Sequence, residues 1–288
     1  MNEIALTYGR AEARIALTGA EARVWRVSGR DLLWPGDPAI WGDISPILYP
    51  VVGWTRDGER VDGRRYPLGL HGFARFETFA AERCESDFVR LSLSDSARTR
   101  LAYPFAFAFA VEYALSEDAL GIALEIANPG ARPAPYACGL HPGFRWPLGE
   151  AGREGAHVRF EREERHEVPA IAPGGLVSKA TKPIALEGRD LPLSDALFVG
   201  DAVCFLDCAS RSLAFVDASG ASITMEFPDY PHAALWTLPG APFLCLEAWT
   251  GYSDPEGFEG DLFEKPSMRV LAPGARARHA ARFVYRAA

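Results

Sequence analysis

The chain has 288 residues and a formal net charge of −8, and nearly half of its residues are apolar. A chain of this length can bury a large core, either in one large all-β unit or in two ordinary domains. The acidic balance argues against nucleic acid or an anionic membrane as the main partner, because both need a concentrated basic surface.

The longest uncharged apolar stretch, residues 101–111, is far too short to span a bilayer. The N-terminus lacks the basic start and the apolar segment of a signal peptide. We therefore expect a cytoplasmic protein without a membrane segment. The five cysteines show neither Cys-x-x-Cys spacing nor companion histidines, so we expect reduced core residues rather than metal ligands.

Short segments of alternating apolar and polar residues, separated by turn residues, predict strands along the chain. Residues 22–27 are predicted as a strand that ends in a turn at 28–31. Residues 105–109, running on to Tyr113, alternate aromatic residues with alanine and predict a strand that packs sheet on sheet. Residues 212–217 and 222–227 predict a hairpin.

No long window places apolar residues at helical spacing, and no internal repeat is present, so we expect few and short helices. Two stretches rich in Gly, Pro and charge, 149–155 and 169–195, are not flanked by a shift in composition. We interpret them as long loops within a single antiparallel β domain covering residues 1–288, of the sandwich or barrel type. The second stretch is expected to carry functional loop residues.

Glu247 is the most unusual residue of the predicted strands, because it is a single carboxylate in an apolar run, residues 244–251. Alternation alone would allow it to face solvent. Phe243, Cys245 and Trp249 would share that face, however, and a solvated face does not usually hold them. An ionised carboxylate out of water is expensive unless it is paired or meets a ligand, so Glu247 is a candidate functional residue.

Two histidines are candidates for acid–base work. His71 precedes a glycine that allows close backbone approach, although a histidine in that setting is commonly an ordinary loop residue. His141 precedes Pro142, which favours an extended conformation and presents the imidazole at a strand end. Phe144 and Trp146 could form an aromatic wall beside it, of the kind that grips apolar sugar faces, or His141 could be a structural residue capping a loop.

Asp195 could accept hydrogen bonds from ligand hydroxyls or merely begin a strand with an Asx turn, and Asp201 and Asp207 are alternatives to it. The sequence contains no P-loop, no Rossmann glycine fingerprint, no Gly-x-Ser-x-Gly elbow and no His-Glu-x-x-His motif. An isolated carboxylate and two loop histidines suit acid–base chemistry rather than metal or nucleotide chemistry.

Taken together, these residues resemble the aldose 1-epimerase (galactose mutarotase) family, and within it the LacX-like proteins and the hexose-6-phosphate mutarotases. Five segments match the family in order: Ser-Pro-Ile-Leu-Tyr-Pro at 45–50, His-Gly-Phe-Ala-Arg at 71–75, His-Pro at 141–142, Asp-Ala-Leu-Phe at 195–198 and Leu-Glu-Ala-Trp-Thr-Gly at 246–251.

The resemblance implies a β-supersandwich with a sugar site in a cleft on its concave side. It implies interconversion of the α and β anomers of an aldohexose, with Glu247 as general base and His141 as general acid. His71 and Asp195 would hold hydroxyls, Arg75 would line the same pocket, and no metal or organic cofactor would be needed. A hexose-6-phosphate mutarotase and a non-catalytic carbohydrate-binding protein are the alternatives.

Two positions depart from the family pattern. Trp54 stands where many relatives carry Arg, with Arg56 two residues on, and Phe76 follows Arg75 where relatives tend to be polar. Several arginines around the His71 loop could bind phosphate in a bidentate fork, but neighbouring acids make them ion-pair partners. We therefore favour a neutral sugar over a phosphorylated one.

Overall fold

The computed structural model describes residues 2–150 and 152–288. Its first strands are β1 (Glu3–Tyr8), β2 (Ala11–Ala16), β3 (Ala22–Val27), β4 (Arg30–Asp31), β5 (Ile47–Leu48), β6 (Glu59–Val61), β7 (Arg64–Tyr66), β8 (Ala80–Cys84), β9 (Phe88–Ser94), β10 (Ala108–Leu115), β11 (Ala119–Ala127) and β12 (Ala134–Tyr136). Those that follow are β13 (Gly139–Leu140), β14 (Gly143–Arg145), β15 (His157–Phe160), β16 (Glu167–Ala172), β17 (Leu176–Pro183), β18 (Asp190–Pro192), β19 (Val203–Phe205), β20 (Ser212–Val216), β21 (Ser222–Glu226), β22 (His232–Trp236), β23 (Phe243–Trp249), β24 (Arg269–Leu271) and β25 (Arg276–Arg286).

The strands pair antiparallel into two large sheets and several small ones. A nine-stranded sheet has the order β18-β15-β20-β21-β25-β11-β10-β9-β8. A six-stranded sheet has the order β19-β22-β23-β13-β5, with β14 also pairing β23. Strands β1 to β4 form a third sheet in chain order. The prediction of an all-β antiparallel fold is confirmed.

The main core lies between these sheets. Leu246 of the six-stranded sheet, Phe283 of the nine-stranded sheet and Trp25 of the four-stranded sheet belong to one buried cluster. Phe144 bridges them, because its ring centroid lies 5.4 Å from that of Phe283 and 6.4 Å from that of Trp25. Burial of large aromatic side chains of this kind supplies much of the stability of a sandwich.

Helical structure in the described ranges is confined to three short 3-10 turns, Ala74–Phe76, Thr99–Leu101 and Asp195–Phe198. This matches the prediction of few and short helices. Within residues 2–150 and 152–288, no helix is long and apolar enough to cross a membrane. Four of the five free cysteines are buried as predicted, but Cys84 is exposed at the end of edge strand β8, so the core prediction is wrong for it.

Two sequence predictions need correction in their bounds. The first is the strand predicted from residue 105, which begins only at Ala108. The hairpin predicted at 212–227, in contrast, is present as β20 and β21. The backbone N–H of Phe107 donates to the side chain of Asp95 (3.1 Å) rather than to a neighbouring strand. The long loop predicted at 169–195 instead contains most of the β16–β17 hairpin and all of β18.

Strand β23 lies inside the six-stranded sheet and has neighbours on both sides. Strand β22 pairs along one edge, and the short strands β13 and β14 pair along the other. Leu140 is paired with Ala248, and Gly143 with Cys245. The chain therefore leaves the ladder at residues 141–142, directly opposite residues 246–247.

Candidate functional site

Glu247 is buried, with only 1% of its surface exposed. Alternation along β23 sends Leu244, Leu246 and Ala248 into the main core. The opposite face carries Glu247 together with Phe243, Cys245 and Trp249, and it forms one side of a cleft. The reading in which Glu247 faces bulk solvent is therefore wrong, because the carboxylate opens only into this cleft.

His141 lies beside Glu247 because of the break between β13 and β14. Pro142 cannot donate to a ladder, so the chain turns out of the sheet there, while the Pro142 carbonyl still accepts from the Leu246 N–H (3.2 Å). The His141 imidazole Nε2 consequently lies 3.2 Å from Glu247 Oε2. The two residues that the sequence predicted as acid and base are thus brought into contact.

Trp249 fixes the carboxylate from the same strand. Its indole Nε1 donates to Glu247 Oε2 (3.1 Å), because residues two apart on a strand share a face. The indole packs against Gly139 of β13, where an added Cβ would lie only 2.8 Å from Trp249 Cδ1. Glycine at 139 therefore leaves room for the indole that orients Glu247.

Burial acts strongly on both partners of this contact. It raises the pKa of Glu247 well above its ordinary value, and the Trp249 hydrogen bond opposes this only in part. It lowers the pKa of His141 to about 3. Both shifts favour the uncharged form of each group, so the Glu247–His141 pair holds one proton over a wide pH range.

Aromatic rings surround the His141 imidazole. The centroid of Trp41 lies 5.3 Å away and that of Trp236 5.7 Å away. The predicted wall of Phe144 and Trp146 is wrong, because both are buried in the main core, where Phe144 lies opposite Leu244 in the ladder. Trp41 and Trp236 were missed, since nothing near them in the chain links them to His141.

His71 has an unusual backbone that is held by Gly53. Its φ is +61°, a left-handed conformation that non-glycine residues rarely adopt. The His71 N–H donates to the Gly53 carbonyl (2.9 Å), and the Gly53 N–H donates to His71 Nδ1 (3.0 Å). Because Nδ1 accepts, the neutral ring carries its proton on Nε2.

The imidazole of His71 lies edge-on to that of His141, with 5.4 Å between ring centroids. Burial lowers the pKa of His71 well below its ordinary value, and the neighbouring His141 and Arg75 act in the same direction. His71 is therefore an uncharged hydrogen-bond donor beside the Glu247–His141 pair.

Arg75 also lines the cleft, where the family resemblance placed it. Its guanidinium donates to the Asp43 carboxylate (2.8 Å) and lies 4.6 Å from the centroid of Phe76. Burial raises the pKa of Asp43, and the Arg75 charge opposes that shift. Asp43 was missed because a single aspartate in a loop has no distinguishing pattern.

Asp195 does not line the cleft. Its carboxylate accepts from Arg153 (2.9 Å), and 48% of the side chain is exposed. The 3-10 turn that begins at Asp195 carries the chain onward, and Asp201, one of the alternatives in the sequence, lines the cleft instead. Asp201 has a φ of +76° and accepts from the Ala202 N–H (2.7 Å).

The cleft has a volume of about 280 Å³, close to the lower end of the range for small-molecule sites. Trp54 lines it and is 44% exposed, and Gly175, at the tip of the β16–β17 hairpin, lies directly behind the Trp54 indole. Across residues 2–150 and 152–288, no three His, Cys, Asp or Glu side chains are grouped so that they could hold a metal ion.

Comparison with known proteins identifies relatives over nearly the whole chain. The sequence model of the family described as aldose 1-epimerase matches residues 2–283. Protein LacX of Lactococcus lactis subsp. lactis, in its plasmid form, is 31% identical over 258 residues, which cover 85% of this chain and 86% of LacX.

Solved structures of similar proteins share the fold. A galactose mutarotase related enzyme from Lactobacillus acidophilus has a TM-score of 0.92 at 25% identity, covering 99% of this chain and 97% of its own. A galactose mutarotase-like protein from Lactobacillus casei has a TM-score of 0.92 at 26% identity, covering 99% and 100%. The architecture is thus galactose mutarotase-like, and the chain belongs to the aldose 1-epimerase family.

Proposed function

We propose that this protein interconverts the α and β anomers of a neutral aldohexose by acid–base opening and closing of the pyranose ring. The observation that carries the proposal is the contact of a buried carboxylate with a buried imidazole, Glu247 Oε2 to His141 Nε2, at 3.2 Å in a sugar-sized cleft. Membership of the aldose 1-epimerase family supports it.

Ring opening needs two proton transfers at one edge of the sugar. Glu247 as carboxylate takes the proton of the C1 hydroxyl, and His141 as imidazolium gives a proton to the ring oxygen. The C1–O5 bond breaks, and the product is the open-chain aldehyde. After rotation about C1–C2, the reverse transfers close the ring on the other face.

The Glu247–His141 pair needs only one proton for this cycle. Opening moves a proton from His141 to Glu247 by way of the sugar, and closing returns it. The resting pair favours the carboxyl form of Glu247, because burial raises that pKa and lowers the pKa of His141. The 3.2 Å contact gives the proton a direct path to the imidazole before ring opening.

Other cleft residues would bind the sugar. His71 Nε2–H is a donor for a hydroxyl, and the Asp201 carboxylate is an acceptor. The indoles of Trp41, Trp236 and Trp54 offer apolar surface to the C–H faces of a pyranose. In this arrangement Asp201 takes the role that the sequence resemblance gave to Asp195.

The charges of the cleft favour a neutral sugar over a phosphorylated one. Three carboxylic side chains line the cleft, those of Asp43, Asp201 and Glu247, but Arg75 is the single arginine among the lining residues. Its guanidinium is already bonded to Asp43. Arg56, the nearby alternative, is bonded to Glu259 (3.1 Å), so neither of these two arginines offers a free guanidinium fork to a phosphate.

The test compares wild type with Glu247→Gln, which keeps the shape and removes the basicity. Wild type should accelerate the equilibration of freshly dissolved α-glucose above the spontaneous rate, and the variant should be slower by about 10²-fold or more. Magnetisation-exchange NMR should show glucose 6-phosphate reacting at least about tenfold more slowly than glucose, the ratio expected for about 1.4 kcal/mol.

Circular dichroism of the variant serves as the control for folding. A Glu247→Gln protein with near wild-type turnover would rule out Glu247 as the base. Binding of glucose without any acceleration by wild type would point to a carbohydrate-binding protein instead. Faster turnover of glucose 6-phosphate would reverse the proposed order of substrates.

A further inference from the structure

Three chain segments meet behind Trp54 and form one wall of the cleft. They are residues 53–56, residues 174–177 at the turn of the β16–β17 hairpin, and residues 253–256 after β23. We call this assembly the Trp54 wall. It includes neither Glu247 nor His141, and it presents the indole of Trp54, which is 44% exposed, to the cleft.

Residues 253 and 254 hold the backbone on both sides of the Trp54 peptide. Ser253 Oγ accepts from the Trp54 N–H (2.9 Å), and the Asp254 N–H donates to the Trp54 carbonyl (2.9 Å). Asp254 Oδ2 accepts from the Arg56 N–H (2.7 Å). Three consecutive hydrogen bonds therefore set the direction in which the Trp54 side chain leaves the backbone.

The hairpin turn is attached to residues 254 and 256 of the same segment. The Val177 N–H donates to the Asp254 carbonyl (3.0 Å), and the Glu256 N–H donates to the Val177 carbonyl (2.8 Å). At Gly175 an added Cβ would lie 1.9 Å from Trp54 Cδ1, so the indole rests directly on the glycine backbone. Asp254 thus links the backbone of Trp54 to the surface that supports its ring.

Lys265 holds Asp254 in turn. Its ammonium lies 2.9 Å from Asp254 Oδ1 and 3.2 Å from Glu59 Oε1. All three side chains are buried, with 3% or less of each exposed. Removal of the ammonium would leave two buried carboxylates without their cation, which is strongly unfavourable. Lys265 does not itself line the cleft.

We propose that Lys265 is a positioning residue that, through Asp254, holds the Trp54 wall in the orientation that packs against the bound sugar. The proposal rests on the sugar site described above. Lys265 affects how tightly the sugar is held and leaves the proton transfers of Glu247 and His141 unchanged. Replacement of a residue that merely stabilised the fold would not weaken sugar binding while leaving the proton transfers unchanged.

The experiment is a double-mutant cycle with Lys265→Met and Trp54→Ala, read by calorimetric Kd for glucose and by separate kcat and KM. Lys265→Met should raise Kd and KM about fivefold, the size of one aromatic contact, with kcat within about twofold of wild type. Trp54→Ala should do the same. The double variant should bind no more weakly than Trp54→Ala alone, because Lys265 acts through Trp54.

Arg90→Met is the matched control. Arg90 is bonded to three carboxylates, those of Glu82, Glu112 and Glu125, on the nine-stranded sheet, so its loss removes an ion network without touching the cleft. It should lower the melting temperature and leave Kd unchanged. If Lys265→Met yields no folded protein, Asp254→Asn removes the same ion pair at constant size and should raise Kd in the same way.

The proposal would be overturned if the effects of Lys265→Met and Trp54→Ala on the binding free energy added fully in the double variant. An unchanged Kd in Lys265→Met or Asp254→Asn would also overturn it. Calorimetric Kd does not depend on turnover, so a wild type that binds glucose without mutarotase activity would contradict the proposed reaction and still test the positioning role. A wild type that binds no neutral aldose would overturn both.

Discussion

Burial acts in opposite directions on the two members of the Glu247–His141 pair, so their titrations belong to the pair. At low pH the pair takes up a second proton and Glu247 can no longer accept one from the sugar. At high pH the pair loses its proton and His141 can no longer donate. Activity should therefore follow a bell in pH, with both limbs set by the pair rather than by either residue alone.

Replacement of His141 by Asn should change the shape of that profile as well as its height. Only Glu247 would then titrate, so the residual rate, about 10²-fold lower, should rise with pH and reach a plateau without an alkaline fall. The measurement is the mutarotation rate of glucose between pH 4 and pH 10 for both proteins. An alkaline limb that persists unchanged in an active variant would exclude His141 as the acid.

Asp201 and Asp195 form a matched pair for testing which aspartate holds the sugar. Asp201→Asn should raise KM several-fold, because a charged acceptor of a hydroxyl hydrogen bond, worth about 1.5–3 kcal/mol, becomes neutral. Asp195→Asn removes only the exposed ion pair with Arg153, worth less than about 1 kcal/mol, and should leave KM unchanged. If steady-state kinetics showed a larger increase in KM for Asp195→Asn than for Asp201→Asn, Asp195 would be the aspartate that holds the sugar.

The sequence located the candidate acid and base residues better than the candidate sugar-binding residues. Glu247 and His141 were recognisable because each breaks a local pattern, a carboxylate in an apolar strand and a histidine before proline. Asp195 was placed in the site only through a motif, and the motif does not specify where a 3-10 turn directs its first side chain. Asp43 could not have been found, since its contact with Arg75 joins loops 32 residues apart.

Strand β23 contributes to both the main core and the cleft, because successive side chains of a strand point to opposite faces. Its even-numbered residues pack in the main core, and its odd-numbered residues face the cleft side. The short strand β13 supports the cleft side by supplying Gly139 beside Trp249. The two faces of β23 were predictable from its alternation. The pairing of β13 with β23 was not predictable, because it joins residues far apart in the sequence.

Gly139→Ala should therefore disturb the site as well as the fold. The new methyl group would lie 2.8 Å from Trp249 Cδ1 and 3.0 Å from the Ala248 carbonyl oxygen. Overpacking of this size costs about 1–3 kcal/mol, and displacement of the indole removes a hydrogen bond that lowers the pKa of Glu247. The alkaline limb of the rate profile, where the pair loses the proton that rests on Glu247, should move to higher pH.

Thermal unfolding and the pH profile measure both effects. Gly121→Ala on β11 is the control, because the nearest atom to its added Cβ is 3.5 Å away, an ordinary contact. Gly121→Ala should change neither the pH of the alkaline limb nor the melting temperature by much. A Gly139→Ala protein with an unmoved alkaline limb would show that Trp249 does not tune the pKa of Glu247.

At the level of the whole molecule, buried histidines make stability depend on pH. Burial lowers the pKa of His71 and of His279 below the unfolded value of about 6.5. It lowers the pKa of His232 to about 4. The unfolded chain therefore binds more protons below about pH 6.5, and the stability present above that pH is lost as the pH falls. His141 adds little between about pH 4.5 and 6.5, because Glu247 keeps the proton that His141 lacks.

Urea unfolding should show a lower free energy of unfolding at pH 5.5 than at pH 7.5, by about 1 kcal/mol for each histidine whose pKa is fully depressed. His232→Asn should reduce this difference by about one histidine's share. His166→Asn, at an exposed loop position, should leave it unchanged. Equal stability of wild type at the two pH values would contradict the argument.

The position of β25 in the nine-stranded sheet has a consequence for biosynthesis. Strand β25, residues 276–286, lies between β11 and β21 and pairs with both. Until those residues leave the ribosome, no strand joins the set β8 to β11 to the set formed by β15, β18, β20 and β21, and each set exposes an unpaired edge. The nascent chain therefore has to hold two partial sheets apart until β25 emerges, and the nine-stranded sheet closes only then.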